Sequence, residues 1–334
     1  MKAPEGVSDI ISLVITCLTT AVGGLFWWAS QPLQLRNSPL DFRVTAGSSL
    51  RSAIVQMREA GIAVDPTLLA MLARLNRADT AIKAGSYAVK TGVTPLQLLN
   101  KLLKGKVTQG ELTLVEGWTF RQWRARMDNH PDLSHETRDL SEAQIIAQLG
   151  LDVGSLEGWL FPDTYLFDKH SSDLDLLARA HRAMSRKLDA EWAQRADGLP
   201  YKSPEEALIM ASIVEKETGR EADRILVATV FVNRLRVGMP LQTDPTVIYG
   251  LGDRFDGNLR KRDLLTDTPY NTYTRRGLPP TPIAMPGQSS LRAALNPAQS
   301  DVFYFVARGD GSSQFSQTLD EHNNAVNKFQ RGGK

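Results

Sequence analysis

Met210-Ala211-Ser212-Ile213-Val214-Glu215-Lys216-Glu217-Thr218 closes an apolar run and sets two acids and a base within one helical turn. The run predicts a helix that opens at Ser203, whose hydroxyl can take free N–H groups of the first turn. Pro204 then stands at the first helical position, with Glu205 and Glu206 behind it. At about 100° per residue, Ala207, Met210, Ala211, Ile213 and Val214 gather on one side, and Leu208 and Ile209 widen the arc. Glu217 projects roughly 40° from the centre of that arc, Glu215 lies near its edge and Lys216 points away. A carboxyl on a buried face loses hydration, so its pKa rises toward the range in which it can donate a proton at neutral pH. Glu217 is therefore the candidate general acid, and Glu215 the surface or orienting residue. An ion-paired acid at the end of an apolar helix is the plainer reading, and the rest of the chain decides between them.

The chain has 334 residues, enough for two domains, and 42% of them are hydrophobic, enough for a sizeable core. Its 39 basic and 37 acidic residues nearly balance, which gives no charge excess of the kind that nucleic-acid binding calls for. The single cysteine, Cys17, falls in the N-terminal apolar segment, so a disulfide within the rest of the chain and a thiolate metal site are both excluded. His130 and His135 lie in the polar stretch 128–141, with no second ligand at helical spacing, and read as loop residues. The sequence calls for no metal and no organic cofactor.

Residues 10–29 are apolar or small and uncharged, ending in Phe26-Trp27-Trp28. That is about the length a helix needs to span a bilayer, and paired Trp suits the headgroup boundary. An uncleaved anchor is expected, although charge does not fix its orientation, since Lys2 competes with Glu5 and Asp9 before it and Arg36 and Arg43 after it. A short stalk follows. Helices are expected over 49–60, 67–75 and 96–103, with a strand at 84–89. This small α+β unit resembles LysM-type modules over 85–105, and a spacer is the simpler account. The expected division is anchor and stalk at 1–36, the module at 37–110, and a larger α+β domain with the helix-borne glutamate at 111–334.

A strand over 111–115 leads into Glu116-Gly117-Trp118, echoed at Glu157-Gly158-Trp159. With no longer period, the echo reads as coincidence or as similar local turn chemistry. Aromatics around Trp159, Phe161, Tyr165 and Phe167 suit either core packing or a platform for sugar rings. Helices are expected at 174–192 and 221–236, the latter ended by Gly238 and Pro240. Gln242, Thr243, Asp244 and Tyr249, with Tyr270 and Asn271, are polar side chains of the kind that read hydroxyl-rich ligands. The prolines of 277–283 stiffen a loop of the type found in binding clefts. Two strands at 302–306 and 314–316, joined through Gly309-Asp310-Gly311, precede a closing helix at 319–329 that carries His322.

Taken in order, five motifs closely resemble the YceG-like endolytic murein transglycosylases. They are Ala211-Ser212-Ile213-Val214-Glu215-Lys216-Glu217-Thr218, Phe231-Val232-Asn233-Arg234-Leu235, Leu241-Gln242-Thr243-Asp244-Pro245-Thr246-Val247-Ile248-Tyr249-Gly250, Tyr270-Asn271-Thr272-Tyr273 and Gly277-Leu278-Pro279-Pro280. The resemblance runs from about residue 114 to 329. It implies cleavage of the β-1,4 bond between N-acetylmuramic acid and N-acetylglucosamine by the muramic acid's own 6-hydroxyl, leaving 1,6-anhydro ends. It further implies Glu217 as the catalytic acid, and a single-pass protein of the bacterial inner membrane whose bulk faces the periplasm. Peptidoglycan strands, and the glycan polymerases that make them, are the implied partners. A hydrolase using Asp244 as a second carboxylate, and a tethered glycan-binding scaffold without activity, are the alternatives.

Overall fold

The structure, a computed structural model, describes residues 5–45, 47–76, 82–105 and 109–332, with side chains in the first helix described from residue 15 onward, residue 18 excepted. It is of the α+β class. The chain divides into two compact units, one of Met1–Glu111 with Leu166–Ser171, the other of Leu112–Tyr165 with Ser172–Lys334.

The first unit begins with α1 (Glu5–Ala29), and the end of this helix packs Ala29, with Leu33 beyond it, into the same core as Leu69 and Leu72. The expected anchor falls within α1. The side chains of 10–14 and 18 lie outside the described residues, as does Lys2, and among the described residues no helix is long and apolar enough to cross a membrane. Strand β1 (Gln34–Leu35) pairs with β3 (Ile62–Ala63), and β2 (Leu40–Val44) runs antiparallel to β4 (Gly85–Val89), with Leu40 opposite Val89 and Val44 opposite Gly85. Alternation along β2 buries Leu40, Phe42 and Val44 and exposes Asp41 and Arg43, as a half-buried strand requires. Between the sheet strands lie α2 (Leu50–Ala60), capped by Ser49, and α3 (Pro66–Leu75), whose cap Asp65 accepts from the N–H groups of Thr67 and Leu68 at 2.8 and 2.9 Å. Helix α4 (Pro95–Lys104) opens with a reciprocal Thr94–Gln97 capping box and ends at Gly105 in the left-handed conformation.

Strand β5 (Gln109–Leu114) runs from the first unit into the second, which continues with α5 (Phe120–Asp128), β6 (Leu133–Ser134) and α6 (Glu142–Leu149). Strand β7 (Asp163–Asp168) pairs with β5, and β8 (Ser171–Ser172) with β6. The helical body comprises α7 (Asp173–Ala193), α8 (Pro204–Glu217), α9 (Glu221–Arg236), α10 (Asp244–Leu251), α11 (Lys261–Leu265) and α12 (Gln288–Leu295). A hairpin of β9 (Tyr304–Ala307) and β10 (Ser313–Ser316) and the helix α13 (Leu319–Phe329) complete it.

Helix α8 is the axis of this body. It packs against α7, α9, α10 and α12, and every residue from Ala207 to Val214 is buried. The sequence suggests one apolar face, whereas the helix is enclosed on all sides. Its polar member Ser212 is satisfied there, donating to the Ile209 carbonyl at 2.7 Å and accepting from the Ile283 N–H at 3.0 Å. Each large apolar side chain so enclosed contributes roughly 1.5–3 kcal/mol by leaving water. The helix stops at Glu217 because Thr218 turns to extended backbone (φ −147°, ψ 131°).

The repeated Glu-Gly-Trp turns share a partner. Gly117 donates its N–H to the Met285 carbonyl (2.9 Å), Met285 donates to the Trp118 carbonyl (2.8 Å), and Gly158 donates to the Met285 sulfur (3.2 Å). A Cβ at Gly158 would run into the Pro282 ring. The two turns thus hold the proline-rich segment 282–287 between them, which gives the echo a tertiary cause.

Candidate active site

Enclosure of α8 fixes its last turn, and the two acids of that turn have different surroundings. Glu215 Oε2 accepts from the Gly287 N–H at 3.0 Å and from the Ser290 hydroxyl at 2.7 Å. This carboxylate therefore fastens the start of α12, where the helix dipole also favours a negative charge. Lys216 points outward and donates to the Gly117 carbonyl at 3.1 Å. Glu217 is half-buried and lines an open cleft of ≈ 610 Å³.

Glu217 Oε1 accepts from the hydroxyl of Thr243, leaving Oε2 to carry a proton. Burial pushes the carboxyl above its ordinary range. The Thr243 hydrogen bond opposes that rise, Asp244 adds to it, and Arg234 opposes it. Burial is the largest of these influences, so the net displacement is upward, the direction a proton donor needs.

Thr243 is itself fixed. Its N–H donates to the Thr272 hydroxyl at 3.1 Å, and its carbonyl accepts from Thr246 at 2.8 Å. Gln242 donates its N–H to the Thr272 carbonyl at 3.1 Å while adopting φ 53°, a left-handed backbone that non-glycine residues rarely take. Asn271 is wholly buried. Its amide donates to the carbonyls of Asp263, Leu264 and Thr266, and its oxygen accepts from the Tyr273 N–H at 2.9 Å. Its side chain is spent on shaping the loop, and it reaches Glu217 only through Thr272 and Thr243.

Gln242, Asp244 and Tyr273 line the cleft with Glu217, and Tyr273 donates to Asp244 Oδ1 at 2.5 Å. Tyr304 and Phe305 of β9 and Leu319 and His322 of α13 also line it. His322 stacks on Tyr304, with ring centroids 5.2 Å apart, and Arg234 lies over the same Tyr304 ring. Arg234 donates to the carbonyls of Phe303 (2.8 Å) and Leu241 (2.7 Å), so it binds β9 to the segment carrying Gln242. Tyr273 and Arg234 stand in two of the quoted motifs without being singled out there, and Tyr304 stands in a predicted strand. Their common address depends on three distant segments meeting.

Tyr249 and Tyr270 are not among the residues lining this cleft. Their rings meet edge to face at 5.0 Å, Tyr270 bonds Thr281 at 2.9 Å, and Tyr249 donates to Glu157 Oε2 at 3.1 Å. Glu157 also accepts from the Phe120 N–H that opens α5, 3.1 Å from each oxygen. Burial pushes its carboxyl up to about 7, against these hydrogen bonds. The loop residues Gly277 to Pro280 likewise stand elsewhere, lining a second cavity with Ser203 and Glu206 at the start of α8.

Asp128, His135 and Asp173 bring possible ligand atoms within 4.8 Å of one another, an arrangement invisible to helical spacing because Asp173 comes from α7. Asp173 is already engaged by the N–H of Glu136 (3.1 Å) and the hydroxyl of Thr137 (2.6 Å), and Arg124 brings a positive charge onto the carbonyls of the same loop. None of the three lines the Glu217 cleft.

The sequence profile of the YceG-like family matches residues 42–328. The chain is similar to the endolytic murein transglycosylase of Bacillus subtilis, 31% identical over 329 residues, covering 92% of this chain and 91% of the relative. It is also similar to the endolytic murein transglycosylase of Streptococcus pneumoniae, 25% identical over 357 residues, covering 95% of this chain and 64% of that relative. A crystal structure of a YceG-like protein from Listeria monocytogenes, 31% identical, superimposes with a TM-score of 0.54 over 86% of this chain and 98% of that one. A helix-borne glutamate in an open cleft, within a chain matched along nearly its whole length, places this protein in the YceG-like family.

Proposed function

We propose that this protein is an endolytic murein transglycosylase, cutting the β-1,4 bond between N-acetylmuramic acid and N-acetylglucosamine within peptidoglycan strands. The observation that carries the reading is Glu217: a carboxyl pushed up by burial, gripped on one oxygen by Thr243, in the lining of an open cleft. The names of the Bacillus and Streptococcus relatives support the same reaction.

Protonated Glu217 gives its proton to the glycosidic oxygen as the bond to the anomeric carbon breaks. The resulting carboxylate then takes the proton of the muramic 6-hydroxyl as that oxygen bonds to the same carbon. No water is consumed, and the acid ends as it began, so one carboxyl serves where ordinary glycosidases use two. Thr243 holds the group in register, and Arg234 offsets the charge of the intermediate carboxylate.

The apolar stretch 10–29, inside α1, supports an inner-membrane anchor with the bulk of the chain in the periplasm, where it meets new strands beside the glycan polymerases. The small first unit, with its own core, supports a LysM-like glycan-binding module. Purified glycan strands digested by the wild type and by Glu217→Gln provide the test. Anhydro ends from the wild type alone are expected. Reducing ends would mean hydrolysis, and full activity of the variant would sink the assignment of Glu217.

A further inference from the structure

The cleft beside Glu217 holds a cluster whose chemistry fits one substituent of an amino sugar. Thr243 is extended (φ −116°, ψ 123°), so its neighbours Gln242 and Asp244 project to the side opposite its own. Burial agrees with this: Thr243 is buried, Gln242 and Asp244 are exposed, and both line the cleft. Tyr273 spends its only O–H on Asp244 Oδ1, at 2.5 Å. That bond fixes the carboxylate and leaves Oδ2 with no hydrogen-bond partner among the described residues, as an outward-facing acceptor. Gln242 adds an amide N–H₂ donor, on a backbone kept left-handed by its bond to Thr272. An acceptor and a donor two residues apart, next to a half-buried aromatic ring, complement an acetamido group: N–H to Asp244, carbonyl to Gln242, methyl against Tyr273.

We propose that Gln242, Asp244 and Tyr273 form the subsite that reads the 2-acetamido group of the sugar seated beside Glu217, with Tyr273 as the residue that aims Asp244. The proposal rests on the reading of this cleft as a glycan site. It accounts for the strained backbone of Gln242 and for a tyrosine that donates to a surface carboxylate while remaining half-buried, neither of which proton transfer by Glu217 requires.

The experiment compares two β-1,4 tetrasaccharides that differ only at the 2-position, chitotetraose (2-acetamido) and cellotetraose (2-hydroxyl). Each is titrated calorimetrically into the full chain carrying Glu217→Gln. The parent is expected to prefer chitotetraose by about 10-fold or more, the worth of one to two well-placed hydrogen bonds. Adding Asp244→Ala or the milder Tyr273→Phe should bring the ratio of dissociation constants close to one. A merely structural role for the pair would weaken both sugars together and leave the ratio unchanged, which would overturn the proposal. So would a parent without preference, whether it bound both sugars or neither. Strand cleavage by the wild type is assayed in parallel: no cleavage defeats the transglycosylase reading, whereas cleavage with an unaltered ratio in the variants defeats the subsite alone.

Discussion

Glu217 and Glu157 are both acids pushed upward by burial, yet one has a reaction open to it and the other does not. Glu157 has both oxygens committed, to the first N–H of α5 and to the Tyr249 hydroxyl, in a pocket of protein atoms. Glu217 has one oxygen held by Thr243, no hydrogen-bond partner for the other among the described residues, and a place in the lining of a cleft. A raised pKa therefore does not identify a catalyst. Desolvation together with room for a ligand does, and Glu215, whose Oε2 takes two donors from the start of α12, is not among the residues lining the cleft.

The comparison breaks first at Glu217. Glu217→Gln removes the cycling proton and should lower cleavage of glycan strands by at least the roughly 10²- to 10⁴-fold ascribed to general acid–base catalysis. Its circular dichroism and melting temperature should match the wild type.

Glu157→Gln should instead act on stability. The folded Glu157 carboxyl titrates near 7 against an ordinary 4.5, so the folded state binds the extra proton between those values. Its contribution is fully present below about pH 4.5 and is lost as pH rises through about 7. Relative to the variant, the wild type should thus lose up to about 3 kcal/mol in denaturant titrations between pH 5 and pH 8. Activity per folded molecule should hold. Parallel stability curves for the two proteins would remove the contrast between the acids.

Glu215→Ala leaves the Gly287 N–H and the Ser290 hydroxyl without their acceptor and should cost about 2 kcal/mol of stability. Its cleavage rate should fall far less than that of Glu217→Gln. Thr243→Val gives the smallest change, about 10-fold in rate for the loss of one hydrogen bond. Because that bond favours the charged carboxylate, its removal raises the Glu217 pKa. The alkaline limb of the pH–rate profile should therefore move to higher pH. A downward shift would contradict the role given to Thr243.

What the sequence made legible was local. Ser203 with Pro204 marks the start of α8, and the helices expected from 67 and 96 begin within a residue of those positions, at Pro66 and Pro95. Such signals act over a single turn, which is why they survive without knowledge of the fold. The choice between Glu215 and Glu217 rested on helical angle, and the structure separates the two for a reason the angle does not contain: the start of α12 claims Glu215. Asn271 and Tyr249 sit in motifs that suggest ligand contact, but their partners are backbone carbonyls and Glu157, set by chain segments far away. Tyr273 belongs to a quoted motif and His322 reads as a capping or packing residue that could also approach the cleft; the packing of the 272–243 loop pair and of α13 brings both to it.

The cleft is completed by α13, whose Leu319, His322 and Val326 line it together with Gln330 just beyond. A chain emerges in order, and domains fold as units once their sequence is available. Glu217 is therefore made long before the last walls around it. The wall that α13 gives the cleft is the last part of it to be made, more than a hundred residues after the acid it faces.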